Sequence, residues 1–495
     1  MIFVRIAFLI SCLGTLPAAH AEFQAGFGKA KITPVLEDTW IDADHDGAYN
    51  PAKGDRFIDG NKNGKFDAIW LAGFDYSRAA VAVHDDLWAL ASVIDDGDKR
   101  IAFVALDAIG FLFNEVEDIR SRLPREWKIN HLILTSTHNH EAPDLLGLWG
   151  RDKYHTGVIP AYMEYTKTQA LIAIGSAVTA LKPAGLRTFQ IENLSNDVVS
   201  DTRPPYVIDP GVRVLEFTDL SNKKVLGTIV NWANHVETLW ERNTLVTSDL
   251  AGYLRDGIEK GIRYENGKVF HEGVGGIHLY MNGAIGGLLT SPPELAVRDP
   301  YTHEMLQIPS FEKARAVGYT VAGEVLNAMD TTQEPIQYQP KITFIKKKIV
   351  VPVTNKDFIF GWILGLFHRN ILHWNGFYIE SEMTLASVGD AQILTIPGEL
   401  YPEIANGGVE APAGADYPNR MIETPPIRSA MKGKINLILG LANDEIGYII
   451  PHSEWDIKPP FIYNYKEAPY GEENSMGPKT APVIYRAAME LLRSR

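Results

Sequence analysis

Two short apolar runs, Ile101–Leu106 and His131–Thr137, flank an amphipathic stretch, Val116–Leu123, that stops at Pro124. Runs of this length read as buried strands, and the stretch between them as a helix. A strand–helix–strand unit makes its two strands parallel neighbours. Parallel strands are covered on both faces, so the chain must supply layers on each side of a sheet. Sites in such sheets are built just beyond the carboxyl ends of strands. Asp107 and His138 stand at those two positions. Ala161–Leu181 reads as a helix ended by Pro183. Val212–Phe217 with Val225–Ala233, and Met383–Val388 with Ala391–Ile396 around Gly389-Asp390, read as hairpins. The fold class expected is therefore α/β (mixed α+β): mixed β-sheets covered by helices, in one large domain over residues 22–495.

Composition narrows the function classes. Of 495 residues, 45% are hydrophobic and 22% charged, which excludes disordered, collagenous and coiled-coil chains. There are 61 acidic and 47 basic residues, a net charge of −14, and no basic run, which argues against a nucleic-acid partner. Gly60–Lys65 is one residue short of a phosphate-binding loop, and Ala25-Gly26-Phe27-Gly28 is no dinucleotide fingerprint, so no nucleotide is expected. Neither Gly-x-Ser-x-Gly nor His-Glu-x-x-His occurs. The single cysteine, Cys12, permits neither an internal disulfide nor a thiolate metal site. Residues 1–21 read as a signal peptide: Arg5, the apolar stretch Ile6–Leu16, and a small-x-small end at Ala19-His20-Ala21. A lipoprotein anchor at Cys12 is the rival reading. Either way the chain is expected outside the cytoplasm, in a bacterial periplasm or the exterior. No later run reaches the ~20 apolar residues of a membrane span. The nearest, Phe358–Phe367, reads with Trp374 as core, as the wall of an apolar substrate groove, or as a peripheral membrane contact.

Residues 42–67 form an acidic insertion. Asp42, Asp44 and Asp46 alternate before Gly47; Asp59, Asn61 and Asn63 alternate before Gly64, with Asp67 beyond. Alternating oxygen ligands on a loop that turns at glycine are the opening of an EF-hand-type calcium loop. The glutamate of the twelfth position is missing from both, where Lys53 and Trp70 stand. A structural Ca2+ is expected there; the alternative is a solvated acidic loop.

In Thr137-His138-Asn139-His140 the two imidazoles lie two residues apart, so in extended chain they point the same way. His235 and Glu399 each follow another strand. Nitrogen and oxygen donors without sulfur suit a catalytic zinc. Taken singly, each of these residues is equally a hydrogen-bonded polar loop residue.

These residues lie in segments that resemble the neutral/alkaline (non-lysosomal) ceramidases, in their N-terminal catalytic domain. The segments are Ala25–Pro34, Ser136–Asp144, Trp232–His235 with Ser248–Tyr253, Pro397-Gly398-Glu399, and Leu441–Asn443 through Tyr448-Ile449. The resemblance implies one Zn2+ held by His138, His235, Glu399 and Tyr448. It implies that His140 contacts the reacting carbonyl, that Arg203 stabilises the oxyanion, and that Tyr465 acts beside them, with Tyr463 or Tyr470 as alternatives. The activity it implies is hydrolysis of the amide of an N-acyl lipid such as ceramide, at a pH above about 6 so that the histidines are neutral. Two departures stand out. The family's catalytic-serine segment is replaced by Asn282–Pro292, where Ser291 is shifted, and the family's C-terminal immunoglobulin-like domain has no counterpart in this sequence. A zinc hydrolase of another amide or ester, and a non-catalytic calcium-stabilised surface protein, are the alternatives these departures leave.

Overall fold

The computed structural model describes residues 22–494 apart from 193, 195–197, 265–266 and 374. The signal-peptide reading of 1–21, Cys12 and Trp374 therefore lie outside the described residues.

Eight strands form the first sheet: β1 (Gln24–Lys31), β2 (Trp88–Asp95), β3 (Arg100–Leu106), β4 (His131–Ser136), β5 (Lys182–Ile191), β6 (Val212–Asp219), β7 (Val225–Trp232) and β8 (Ile277–Asn282). Their order across the sheet is β8-β7-β6-β5-β1-β2-β3-β4. Only the two outermost pairs, β3 with β4 and β7 with β8, are parallel. A second sheet orders β9 (Ile342–Val353), β11 (Phe377–Val388), β12 (Ala391–Thr395) and β14 (Ile435–Leu439), with β10 (Ile371–His373) beside β11. A separate pair, β13 (Glu399–Leu400) and β15 (Tyr448–Ile449), is parallel.

The two sheets pack face to face. Strand β3 shows how the sequence achieves this. Ile101, Phe103 and Ala105 point to the interior shared with Ile393 and Leu437 of the second sheet. Ala102, Val104 and Leu106 point the other way, against α1 (Phe113–Ser121) and α2 (Pro160–Thr179). Both faces are apolar, so the strand reads as an unbroken hydrophobic run. Helices α3 (Asp249–Lys260) and α4 (Phe311–Thr331) cover the β5–β8 half. The outer face of the second sheet is covered by α6 (Thr480–Arg493). This is the mixed α+β architecture of helix-covered sheets that the pattern of runs suggests.

Close approach of helix and sheet needs glycine at two places. A Cβ on Gly26 would fall 2.1 Å from the Ala177 carbonyl oxygen, and one on Gly28 2.3 Å from that of Ala173. Both face α2, so the strand lies directly on the helix backbone. The apolar segment Phe358–Phe367 begins as helix α5 (Lys356–Ile363), capped by Asn355, whose side-chain oxygen accepts from Asp357 and Phe358 amides.

Segment 440–443, just after β14, ties the two edges of the first sheet together. On the β4 side, the Ser136 amide donates to Leu441 and the Asn443 amide donates to Leu134 at 2.7 Å. On the β8 side, the Gly440 amide donates to Asn282 at 3.1 Å. The Asn282 side-chain amide then reaches Thr137 at 3.0 Å. The sheet is curled, and the carboxyl ends of its outermost strands are brought to one place.

Candidate metal centre

Two short parallel pairings supply the site. Beyond β4 and β7, Asn139 pairs with Val236 in a parallel bridge, with the His140 amide donating to Val236 at 2.9 Å. Residues either side of a bridging position point the same way. His138 and His140 therefore share a face with His235 and Glu237. The other pairing is β13 with β15, whose register sets Glu399 beside Tyr448. His138 adopts a positive φ of 63°, a conformation uncommon outside glycine, which turns its ring back to the site.

The hydrogen bonds fix the tautomers. His138 Nδ1 lies 2.8 Å from the Ile109 carbonyl and His235 Nδ1 2.9 Å from that of Leu289. A ring nitrogen against a carbonyl is N–H, so each Nε2 carries a lone pair. Those lone pairs point at Glu399 Oε2, at 3.5 Å from His138 and 3.1 Å from His235. His235 Nε2 and Glu399 Oε2 have no hydrogen-bond partner. Buried acceptors facing one another without a proton are costly, and a cation between them removes the cost. Tyr448 hydrogen-bonds Glu399. Burial pushes the His138 imidazole down to about 4 and the Glu399 carboxyl up. His138, His140 and His235 each offer a nitrogen within 4.8 Å of the others. This buried histidine group has the geometry to hold a metal ion, and Glu399 and Tyr448 place oxygens beside it.

The cluster lies at one end of a largely apolar cavity. Leu112, Trp149, Phe358, Trp362 and Phe367 are among its walls. His140 faces it under a strap, residues 70–79, that runs on directly from the acidic insertion. Phe74 packs edge-on to the His140 ring at 5.0 Å between centroids, and Arg78 bonds the His140 carbonyl. Gly73, at φ 102°, leaves room for that ring: a Cβ there would lie 2.3 Å from His140 Nδ1.

Other expected residues lie elsewhere. The Arg203 guanidinium is buried, its two terminal nitrogens held by Glu472 at 2.8 and 2.9 Å, by Tyr401 Oη at 2.8 Å and by the Glu454 main-chain carbonyl at 3.1 Å. It does not line the cavity; it packs over Tyr401, whose ring meets Tyr448 edge-on at 6.1 Å. Tyr465 is half-exposed and also off the cavity, whereas Tyr470 lines it, 6.2 Å from Tyr448 between ring centroids. Ser291 is buried; its hydroxyl donates to the Val198 carbonyl and accepts from Asn234 at 3.2 Å. Asp107, past β3, holds Arg255 at 2.6 and 2.8 Å.

In the insertion, the Asp42, Asp44 and Asp46 carboxylates converge within 4.8 Å, with the Lys53 ammonium against Asp44 and Asp46. In the second half-loop Asn61 and Asn63 donate to Asp67 at 2.8 and 2.6 Å, and Asp59 accepts from Gly64 at 2.8 Å. The half-loops are pinned by Asp55, which accepts from Ala43 and Asn50, and by Asp38, which accepts from Gly60 and Asp67. Beyond Tyr470, which stands among the sequence expectations as an alternative to Tyr465, the structure adds Asp38 and Asp55 in the insertion and Glu237 and the Gly73–Phe74 strap at the centre. Of these only Glu237 carried a signal: it stands two residues from His235, as His140 does from His138.

No protein-family model matches the chain, and no curated protein matches it significantly. Solved structures do match. Neutral ceramidase from Pseudomonas aeruginosa aligns with a TM-score of 0.64 at 14% identity, over 95% of this chain and 74% of its own. A ceramidase complexed with C2 aligns with a TM-score of 0.65 at 16% identity, over 95% and 75%. The chain therefore has the neutral ceramidase fold, as the resemblance of its motifs implies.

The strap gives a direct test. Gly73→Ala is expected to destabilise by about 2–4 kcal/mol, from a strained φ together with the clash on His140. Gly365→Ala has a positive φ but nothing within 4 Å of the added carbon, and is expected to cost only about 1 kcal/mol. Equal costs in urea unfolding would remove the His140 contact from the account.

Proposed function

We propose that the protein is an exported zinc-dependent amidohydrolase that cleaves the acyl amide of a ceramide-like lipid. The observation that carries this reading is the convergence of His138, His235, Glu399 and Tyr448 at one end of an apolar cavity. Two imidazole nitrogens and two oxygens, with no sulfur, suit Zn2+ over softer ions. A zinc ion held by these four side chains would supply a water of near-neutral pKa and a Lewis acid for the amide carbonyl.

The remaining work falls to the chain's own side chains. The main-chain carbonyls of Ile109 and Leu289 hold His138 and His235 in the one tautomer able to donate from Nε2. Leu112, Phe358, Trp362 and Phe367 take the acyl chain and exclude water, which strengthens every polar contact within. His140 faces the reacting carbonyl. Arg203 acts at a distance, fixing Tyr401 behind Tyr448. Tyr470, half-exposed in the cavity wall, offers a hydroxyl that can hydrogen-bond the substrate.

Three further assignments accompany this reading. Phe360, Ile363 and Leu364 are exposed on the outer face of α5 while Phe358 and Trp362 line the cavity, an arrangement that favours peripheral contact with a lipid surface. The converging Asp42, Asp44 and Asp46 favour a structural Ca2+ in the insertion. Export rests on residues 1–21.

Metal analysis of the purified protein is expected to give about one zinc per chain, lost in His138→Ala and His235→Ala, with turnover of N-acylsphingosine falling at least about 1,000-fold in both. Folded wild type without zinc after loading would overturn the mechanism. Trp362→Glu is expected to abolish turnover of micellar substrate, and Phe360→Asp to lower turnover only when the substrate is in vesicles; unchanged rates would remove α5 from the acyl path and the membrane contact. Calcium at millimolar concentration is expected to raise the melting temperature of wild type but not of Asp44→Ala. No shift in wild type would leave the insertion an acidic loop.

A further inference from the structure

Glu237 stands outside the zinc donor set and outside every role implied by the resemblance, yet it is buried beside the centre. Its place follows from the bridge between Asn139 and Val236, which turns His138 towards His235 and His140 towards Glu237. One Glu237 carboxylate oxygen, Oε2, lies 3.2 Å from His140 Nδ1. The charges of His235, Arg78, Glu399 and Asp249 also act on it. His140, in turn, has neither ring nitrogen in a well-aligned hydrogen bond. The strap side gives it the Phe74 ring edge and the Gly73 backbone, and the Arg78 guanidinium goes to its carbonyl oxygen rather than its ring. Burying a carboxylate is costly unless its surroundings offset the lost hydration, so its place beside the His140 ring calls for a reason.

We propose that Glu237 is a positioning residue for His140, the two forming a buried carboxylate–imidazole pair that fixes the ring with Nδ1–H towards Glu237 and the Nε2 lone pair towards the cavity. The proposal rests on the hydrolase reading above and assigns proton transfer within it. As the water oxygen bonds to the amide carbon, its proton passes to His140 Nε2, and the Glu237 carboxylate stabilises the imidazolium. As the C–N bond breaks, the same proton passes from Nε2 to the leaving nitrogen, giving a carboxylic acid and an amine. The pair explains how a chain with a displaced serine retains a proton carrier. Ser291 is held by Val198 and Asn234, and no serine or cysteine is among the described residues lining the cavity. A carboxylate that sets an imidazole tautomer is a recurring catalytic device, and its conversion to the amide lowers turnover by orders of magnitude.

The test uses zinc-loaded wild type, Glu237→Gln and Glu237→Asp. Nitrogen-15 NMR of labelled histidine reads the His140 tautomer without substrate, and N-acylsphingosine hydrolysis reads kcat and KM. Expected results are Nδ1-protonated His140 in wild type and Glu237→Asp, and a mixed or reversed tautomer in Glu237→Gln. In Glu237→Gln, kcat is expected to fall at least about 100-fold with KM within about threefold, and zinc to remain near one per chain; Glu237→Asp is expected to recover part of kcat. An unchanged tautomer and kcat in Glu237→Gln would overturn the proposal. Loss of zinc or of the fold in both variants would also overturn it, since Glu237 would then support His235 or the scaffold. If wild type hydrolyses no N-acyl lipid, the function reading fails, and the tautomer measurement still decides the pair.

Discussion

The curl of the first sheet is what the site depends on, and a few hydrogen bonds from segment 440–443 impose it. A flat eight-stranded sheet would hold β4 and β8 about 33 Å apart, at ~4.8 Å per strand. The amides of Gly440 and Asn443 and the carbonyl of Leu441 instead reach both edges at once. The ends of the only parallel pairs in that sheet are then neighbours, and the bridge between Asn139 and Val236 becomes possible. The same bonds cover edge strands that would otherwise expose unpaired backbone.

Much of this architecture was written in local patterns. The run Ile101–Leu106, the helix after it and the run from His131 gave a parallel pair because both faces of β3 are apolar. Paired histidines two residues apart announced a shared face, and His235 and Glu399 stood beyond strands as donors should. What stayed illegible depends on partners distant in the chain. Helix α1 begins at Phe113, earlier than its own residues suggest, because its first amide is capped by Asp444. The Arg203 guanidinium is drawn off the cavity by Glu472, a partner no spacing rule connects to it. Choosing among Tyr463, Tyr465 and Tyr470 required the three-dimensional course of a loop. The strap over His140 has no sequence signature, since Gly73 and Phe74 act through shape alone.

The centre also has a characteristic electrostatic design. His138 and His235 lean on neutral main-chain carbonyls, so in the proposed donor set the negative charge comes from Glu399. That keeps the imidazoles weakly basic donors and leaves the electron demand of a bound cation high. A second carboxylate, Glu237, is placed one ring away, beside His140. In the proposed mechanism the two glutamates divide the work: one closes the metal site, the other orients the neighbouring ring.

The tie made by segment 440–443 has a temporal consequence. The edges of a sheet begun at residue 24 are joined by residues more than 400 positions later, so contacts of very long sequence separation complete the N-terminal half. Such closures come late and slowly in folding. The cluster of His138, His235, Glu399 and Tyr448 is thus brought together only once segment 440–443 has docked on both edges.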